Sequence, residues 1–410
     1  MDNALLARLT EVAAELLRRN TITVGEYRYT APSLDDALEI RKDYANQFLW
    51  DSCFHAVGWR WIDPARAADE LIALLSRQVA SGPDAGMIPH CNYWRGGGTY
   101  LWGREERSLL TQPPLIGIAA LLIHERSGDR AFLEAVYAPL CRYHDWFDRR
   151  RDADHDGLVS LIHPWESGGD ALPRWDAAMG LDHPTYTEAR EARLKLASVV
   201  VEHDGNAELL EKHGYFTIEP MDFNAIRGAD LDALATIAEL TGRAREAEGW
   251  RQRAERVRLA MRKMVIDGEP YDLAGRQETP VRMASAGQFI TLINGSLTKA
   301  EGDRLVARLA EPRFATRYPV PTSPTDDTTF APDVYWRGNV WPSTNWLIHH
   351  ALFKAGYKDQ AAVLAESGID LLDKHGFCEY YDPLTGQGLG GINFSWCAAF
   401  LDMARRQQAV

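Results

Sequence analysis

Two carboxylates are set in surroundings suited to chemistry. Asp170 follows Gly168 and Gly169 in HPWESGGDALPRWD (His163 to Asp176), a stretch that also holds Glu166 and Asp176. Flexible glycines let a backbone carry a side chain close to a ligand. An apolar surround would keep such a carboxyl protonated near neutrality. The same position equally suits an N-cap or Asx turn, and the residues alone leave both roles open. Glu379 opens EYYDPLTGQGLGG (Glu379 to Gly391), where a Pro/Gly turn would hold it rigidly; a surface acid on a turn is the alternative. The pair together is what hydrolysis of a glycosidic bond requires. One acid protonates the leaving oxygen, and one carboxylate activates water or attacks the anomeric carbon.

The acids sit among aromatic, Gly/Pro-rich segments: DYANQFLWDSCFHA (Asp43 to Ala56), GMIPHCNYW (Gly86 to Trp94), LLTQPPL (Leu109 to Leu115), the two above, and YWRGNVWPSTNW (Tyr335 to Trp346). A sugar lays its C–H face on an aromatic plane while its hydroxyls reach carboxylates and amides. One Trp-rich turn could merely plug the end of a helical barrel. Six in one chain point to a site, because burying this many Trp and Asp is costly unless they are paired. DADHDGLV (Asp152 to Val159) looks like part of a calcium loop but lacks the terminal Glu at the proper spacing, so no metal is expected. His90, His163, His349 and His350 read as structural, and there is no GxSxG, P-loop or Rossmann fingerprint.

The elements that must position these segments are helical. Apolar residues recur at helical spacing near 2–19, 50–60, 64–80, 108–127, 130–151, 228–242, 245–265, 283–294, 298–310, 341–356, 358–374 and 392–407. Asp63-Pro64 and Thr298 with Glu301 are start signals, and Gly128, Gly242 and Gly376 stand where helices should stop. Alternating strand patterns are short, as at 22–30 and 158–162. Segment 170–224 is the least regular and reads as a long insertion or lid. No linker splits the chain, so residues 1–410 are expected to form one all-α domain, a closed toroid of inner and outer helices.

Composition narrows the function classes. Lys plus Arg is 45 against 58 for Asp plus Glu, a net charge of −13, which argues against nucleic acid or an anionic membrane as partner. No run of about 18 apolar residues occurs, and the charged, amphipathic start lacks the pattern of a signal peptide. Five scattered cysteines without a CxxC pair fit a reduced, cytoplasmic protein.

The segments FLWDSCFHA, TQPPL, HPWESGGD, YWRGNVWPSTNW and EYYDPLTGQG, in this order, resemble the motifs of glycoside hydrolase family 63. More narrowly, they are similar to its short bacterial members that hydrolyse mannosylglycerate or glucosylglycerate. The resemblance implies an (α/α)6 barrel and an inverting α-glycosidase that needs no cofactor. It places Asp170 on the general acid and Glu379 on the general base. Trp50, Asp51, Gln112, Tyr335, Trp336 and Trp341 fall on positions lining the sugar and aglycone subsites. Tyr44, Trp165 and Glu166, in the same segments, are expected to bind substrate with them. One departure is Ala171-Leu172-Pro173, where relatives commonly carry Asn-Ser-Pro after the acid.

The implied substrate is a small glycoside with a glycerate aglycone, whose carboxylate needs a cation. An Arg fork suits it best, and Arg190, Arg193 and Lys195 lie at and after PTYTEAR (Pro184 to Arg190), with Tyr186 beside them. Tyr186 and Arg190 are the expected aglycone contacts. Two rivals remain at this stage: an α-glucosidase or trehalase-like enzyme acting on a neutral disaccharide, and a non-catalytic carbohydrate-binding protein. The oligomeric state and the choice between mannose and glucose are not legible in the residues.

Overall fold

The computed structural model describes residues 2–35 and 44–408. Asp43, the first residue of the first aromatic segment, lies outside them.

Twelve helices carry the architecture: α1 (Asn3–Arg19), α2 (Leu49–Trp59), α3 (Pro64–Leu75), α4 (Ile116–Ser127), α5 (Arg130–Arg150), α6 (Tyr186–Glu202), α7 (Met221–Leu240), α8 (Ala244–Ala260), α9 (Lys299–Ala307), α10 (Pro342–Lys354), α11 (Lys358–His375) and α12 (Ala398–Gln408). Packing sorts eleven of them, with the short turns at 287–294, into two rings, and α6 lies outside both. α2, α4, α7, the short turns at 287–294, α10 and α12 each pack on the next, and α12 closes back on α2. Outside them lie α1, α3, α5, α8, α9 and α11, each against an inner partner. This is the (α/α)6 barrel.

The sequence explains which helices go inside. All eleven residues of α2, LWDSCFHAVGW, are buried, as suits a helix with apolar residues on every face and only Asp51, Ser52 and His55 polar. The outer α1 buries one stripe (Leu6, Leu9, Ala13, Leu16, Leu17) and exposes charged residues elsewhere. Ring closure needs Gly58, where any Cβ would collide with Ala398 at the start of α12. Asp402 of α12 accepts from Arg60 at 2.8 Å and from the indoles of Trp61 and Trp346 at 2.7 Å each, tying α2, α10 and α12 together.

The start and stop signals act as expected. Asp63 accepts from the amides of Ala65 and Arg66, Thr298 and Glu301 form a capping box, and Gly128 ends α4 with φ 65°. Two expectations need correction. Segment 170–224 is more regular than expected: it contains α6, a further helical turn Ala207–Lys212, and the start of α7. The signal for α6 is Thr185 with Glu188, a second capping box. Residues 108–115 are irregular rather than helical, so α4 begins only at Ile116.

Short strands decorate the barrel: β1 (Thr21–Val24), β2 (Tyr27–Thr30), β3 (Ile218–Glu219), β4 (Asp272–Ala274), β5 (Thr279–Val281), β6 (Cys378–Tyr381) and β7 (Gly388–Ile392). β1 pairs with β2, β3 with β4 and β4 with β5, and β6 with β7, all antiparallel. Stretch 158–162 makes one isolated bridge, Leu161 to Ile218, instead of a strand. Trp50 and Asp51 lie in the first turn of α2, Gln112 just before α4, Tyr335 to Trp341 just before α10, and Glu379 in the segment before α12. Inner helices of such pairs run the same way, so their N-termini gather these residues at one rim.

Candidate active site

Glu379 sits on β6 where the pairing register with β7 slips, between Cys378 and Tyr380. Such an irregularity re-aims a side chain. The residue is 1% exposed. Its Oε1 accepts from the hydroxyls of Tyr44 at 2.5 Å and Tyr335 at 3.3 Å, and its Oε2 accepts from the Gly391 amide at 2.7 Å. The Trp396 indole donates to the Glu379 carbonyl at 3.0 Å, fixing the strand itself.

Asp170 stands on a turn clamped from several sides. The Trp175 indole donates to the Gly169 carbonyl at 2.8 Å, and the Gly169 amide donates to Ser167 at 3.0 Å. Gly168, at φ 76°, lies so close to the Trp50 indole that a Cβ would enter the ring. Arg174 donates to both oxygens of Asp272, at 2.9 and 3.1 Å, and pairs with Asp222. Arg337 holds Asp176 in a bidentate pair at 2.6 and 2.9 Å. The N-cap and Asx-turn roles are not realised, since no described amide donates to the Asp170 side chain except its own.

Electrostatics bring three acids to one place. Burial pushes the Asp170 carboxyl up to about 7; the Arg193 guanidinium opposes this and the Glu379 charge adds to it. Burial likewise holds Asp51 well above the usual carboxylate range, its own amide opposing and Glu379 and Asp170 reinforcing. Asp51 is 5% exposed. The group therefore contains an acid near its titration point at neutral pH, a second acid whose charged form burial disfavours, and a third side chain that accepts from two tyrosines and an amide.

Aromatic rings form the surround. Trp50 and Trp336 line a narrow cavity of about 30 Å³ inside the barrel with Gly169, Leu172, Arg174 and Asp222; Asp170 and Glu379 are not among its lining residues. Trp336 has φ 63°, a strained conformation for a bulky residue of the kind found at functional sites. It is held by stacking on Trp341, with centroids 3.6 Å apart and planes 2° apart. Gln112 accepts from the Trp50 amide at 3.2 Å through Oε1, and its Nε2 donates to no protein acceptor among the described residues.

The two residues expected to meet the aglycone, and Arg193 beside them, lie on α6. Tyr186, its first residue, meets Tyr335 edge-on at 6.4 Å. The Arg193 guanidinium lies 5.9 Å from the Tyr186 ring centre. Arg193 is 2% exposed, and its Nε and one terminal nitrogen are buried without a hydrogen-bond partner. Arg190, one turn earlier, is exposed and makes no hydrogen bond or ion pair with the site among the described residues. Both are candidates in the sequence; helix depth separates them.

Three expected substrate contacts are placed elsewhere. Trp341 is fully buried, stacked between Trp336 and Tyr380, so it supports the lining from behind. Trp165 packs edge-on against Trp102 at 5.9 Å and on His163, in a satellite core with α6. Glu166 is fully buried and pairs with Arg151 at 2.9 Å, while the amides of Thr111 and Ile162 donate to its two oxygens. Its carboxylate is saturated by protein. Glu166→Gln is therefore expected to act on stability, lowering it by about 3–5 kcal/mol because Arg151 is left buried and uncompensated. Denaturant unfolding reads this directly, and a fully stable variant with reduced sugar affinity would contradict it.

His163 and His90 are structural as expected, and burial lowers each to about 3, so both are neutral. Sequence reasoning missed Trp396, which lay in an apparent helix at 392–407, and the clamps Arg174 and Arg337, whose acidic partners are remote in the chain.

The chain matches known proteins over nearly its whole length. Residues 44–397 match the sequence profile of the mannosylglycerate hydrolase MGH1-like glycoside hydrolase domain. A mannosylglycerate hydrolase of Thermus thermophilus is 31% identical, with 94% of this chain and 98% of that protein covered. A glucosylglycerate hydrolase of Mycolicibacterium hassiacum is 30% identical, with 96% of each covered. The crystal structure of the Thermus thermophilus mannosylglycerate hydrolase of family 63 in complex with Tris and D-glycerate superposes with a TM-score of 0.84 at 29% identity, covering 97% of this chain and all of that one. With its barrel, its motifs and this match in agreement, the chain is a glycoside hydrolase and belongs to the MGH1-like family within family 63.

Proposed function

We propose that this enzyme hydrolyses the α-glycosidic bond between a hexose and glycerate, taking mannosylglycerate or glucosylglycerate, with inversion at the anomeric carbon. The reading is carried by one observation: an acid raised to about 7, Asp170, in the field of a donor-held carboxylate, Glu379. The activities of the similar proteins, mannosylglycerate and glucosylglycerate hydrolysis, supply the substrate class.

In this mechanism Asp170, neutral, donates its proton to the glyceryl oxygen as the bond to the anomeric carbon breaks. Glu379 takes a proton from water on the opposite face of the ring, while Tyr44 and Tyr335 hold its Oε1 in place. Inversion needs the two carboxyls about 6.5–9.5 Å apart, with room for that water. Asp51, protonated, donates to a sugar hydroxyl, Gln112 offers its amide, and Trp50 and Trp336 flank the ring. The chain acts as one catalytic domain in the cytoplasm, without a cofactor for the chemistry. No helix among the described residues is long and apolar enough to cross a membrane.

Arg193 and Tyr186 take the glycerate carboxylate. Arg193→Gln is expected to raise KM for a hexosylglycerate by about 10–100-fold, the loss of charged hydrogen bonds. It also removes the positive charge that lowers Asp170. The alkaline limb of kcat/KM then moves to higher pH, because the acid keeps its proton longer. With the glycerate carboxylate esterified, wild type and variant should converge. Equal KM values on the free acid would overturn this assignment.

Rates on mannosylglycerate, glucosylglycerate and trehalose, measured side by side, test the function. The expected result is turnover of a hexosylglycerate at least about 100-fold more efficient than of trehalose; a preference for the neutral disaccharide would contradict the reading.

A further inference from the structure

Three consecutive residues reach three parts of the site. The Tyr335 hydroxyl donates to Glu379 Oε1 at 3.3 Å, the Trp336 ring lines the interior cavity, and Arg337 forks onto both oxygens of Asp176 at 2.6 and 2.9 Å. The left-handed backbone of Trp336 stands between the two polar contacts. The turn around it is held on its own account. The Arg337 carbonyl accepts from the Ala331 amide at 2.7 Å, and its amide donates to the Val334 carbonyl at 3.1 Å. Gly338 follows with φ 112°, and a Cβ there would collide with the Phe330 ring.

Asp176 is the matching fixed point on the acid's side. It follows Trp175, whose indole holds the Gly169 carbonyl beside Asp170. Its own carbonyl accepts from the amides of Met179 and Leu181 at 3.0 and 2.9 Å. The two turns also meet directly, since a Cβ at Gly169 would come within 3.6 Å of the Trp336 ring. Both members of the ion pair are buried. Such a pair adds little stability over an apolar pair of the same size, because both ions lose their water. What it adds is direction. A two-point fork fixes orientation as well as distance, which ring packing against a glycine does not.

We propose that Arg337 and Asp176 are positioning residues for the general acid. Their fork, next to Tyr335 on the base, sets where the Asp170 turn stands relative to Glu379. This rests on the reading of Asp170 as the acid. Without the fork, the acid turn shifts against the Trp336 turn, while the base keeps its tyrosines and its amide. Proton delivery to the leaving oxygen is then the step that suffers.

Three substrates test this. A hexosylglycerate needs a proton on its leaving group and carries a carboxylate. The corresponding hexosylglycerol needs the proton and has no carboxylate. A hexosyl fluoride needs no proton. Arg337→Lys keeps the charge and loses the fork. Expected is a fall in kcat of about 10–100-fold on the first two substrates, with KM and the rate on the fluoride each within about threefold of wild type. Arg337→Met combined with Asp176→Leu leaves no ion buried alone, so it should melt close to wild type and show the same pattern. A loss confined to the hexosylglycerate would overturn the proposal by making Arg337 a contact of the carboxylate. Equal losses on all three substrates, or wild-type activity in either variant, would overturn it by leaving the fork a structural pair. Asp170→Asn, measured alongside, separates the two levels. If that variant loses as much on the fluoride as on the glycosides, the acid assignment and the positioning role fall together. If it spares the fluoride and the fork variants do not, only the positioning role falls.

Discussion

Asp170→Asn is expected to lower kcat on a hexosylglycerate by about 10²–10⁴, the contribution of a well-placed general acid. The loss should depend on the leaving group. A hexosyl fluoride departs without a proton, so on that substrate the variant should stay within about tenfold of wild type. An equal loss on both substrates would mean that Asp170 does something other than protonate the glyceryl oxygen. The pH profile carries the same signature. Activity of the wild type requires the neutral form of a group raised to about 7, so kcat/KM falls as pH rises through that value. The variant loses this alkaline limb.

A stability effect of opposite sign accompanies it. In the unfolded chain an aspartate titrates near about 3.9, below its folded value, so the folded state binds the proton more tightly. That contribution is complete below pH about 4 and is lost as pH rises through about 7. Above it, wild type holds a poorly solvated charge that Asn does not carry. Asp170→Asn should therefore be the more stable protein at pH 8, by up to about 4 kcal/mol, with the difference shrinking toward pH 5. Equal denaturation midpoints at pH 8 would show that the site solvates the charge better than its burial implies.

Glu379→Gln is the second large effect, a loss of about 10³-fold or more in kcat. It differs from the first in its substrate dependence. Water must be deprotonated whichever group leaves, so hydrolysis of the fluoride should fall as far as that of the glyceryl substrate. The substituted side chain would keep an oxygen for the two tyrosine hydroxyls, but its NH₂ group would face the Gly391 amide, a donor opposed to a donor. Some loss of stability, about 1–3 kcal/mol, is expected with it. A variant that hydrolyses the fluoride at the wild-type rate would remove Glu379 from the mechanism.

The contrast between what the residues disclose and what they hide has physical causes. The inner helices are legible because mostly apolar stretches such as LWDSCFHAVGW, with few charged residues, have one place to go in a two-ring barrel. Apolar spacing puts the start of α7 too late because Asp222, Asn224 and Arg227 look like loop residues. In the fold they are partnered, Asn224 with the Val159 backbone and Arg227 with Asp148 and the Gly157 carbonyl. The two candidate catalytic carboxylates are legible from their glycine and proline neighbours. Direction within a motif is not. Trp336 and Trp341 share one segment, yet one lines the cavity and the other backs it, and Glu166 lies four residues from Asp170 but points into a buried ion pair. Arg193 becomes distinguishable from Arg190 only when α6 acquires an axis.

The most direct measurement is proton NMR during the first minutes of hydrolysis of α-mannosylglycerate by the wild-type enzyme, before mutarotation equilibrates the sugar. An acid and a base acting on opposite faces require β-mannose to appear first, with the α anomer growing in only later. If α-mannose is the first product, one carboxylate attacks the sugar itself, and the roles given to Asp170 and Glu379 cannot stand.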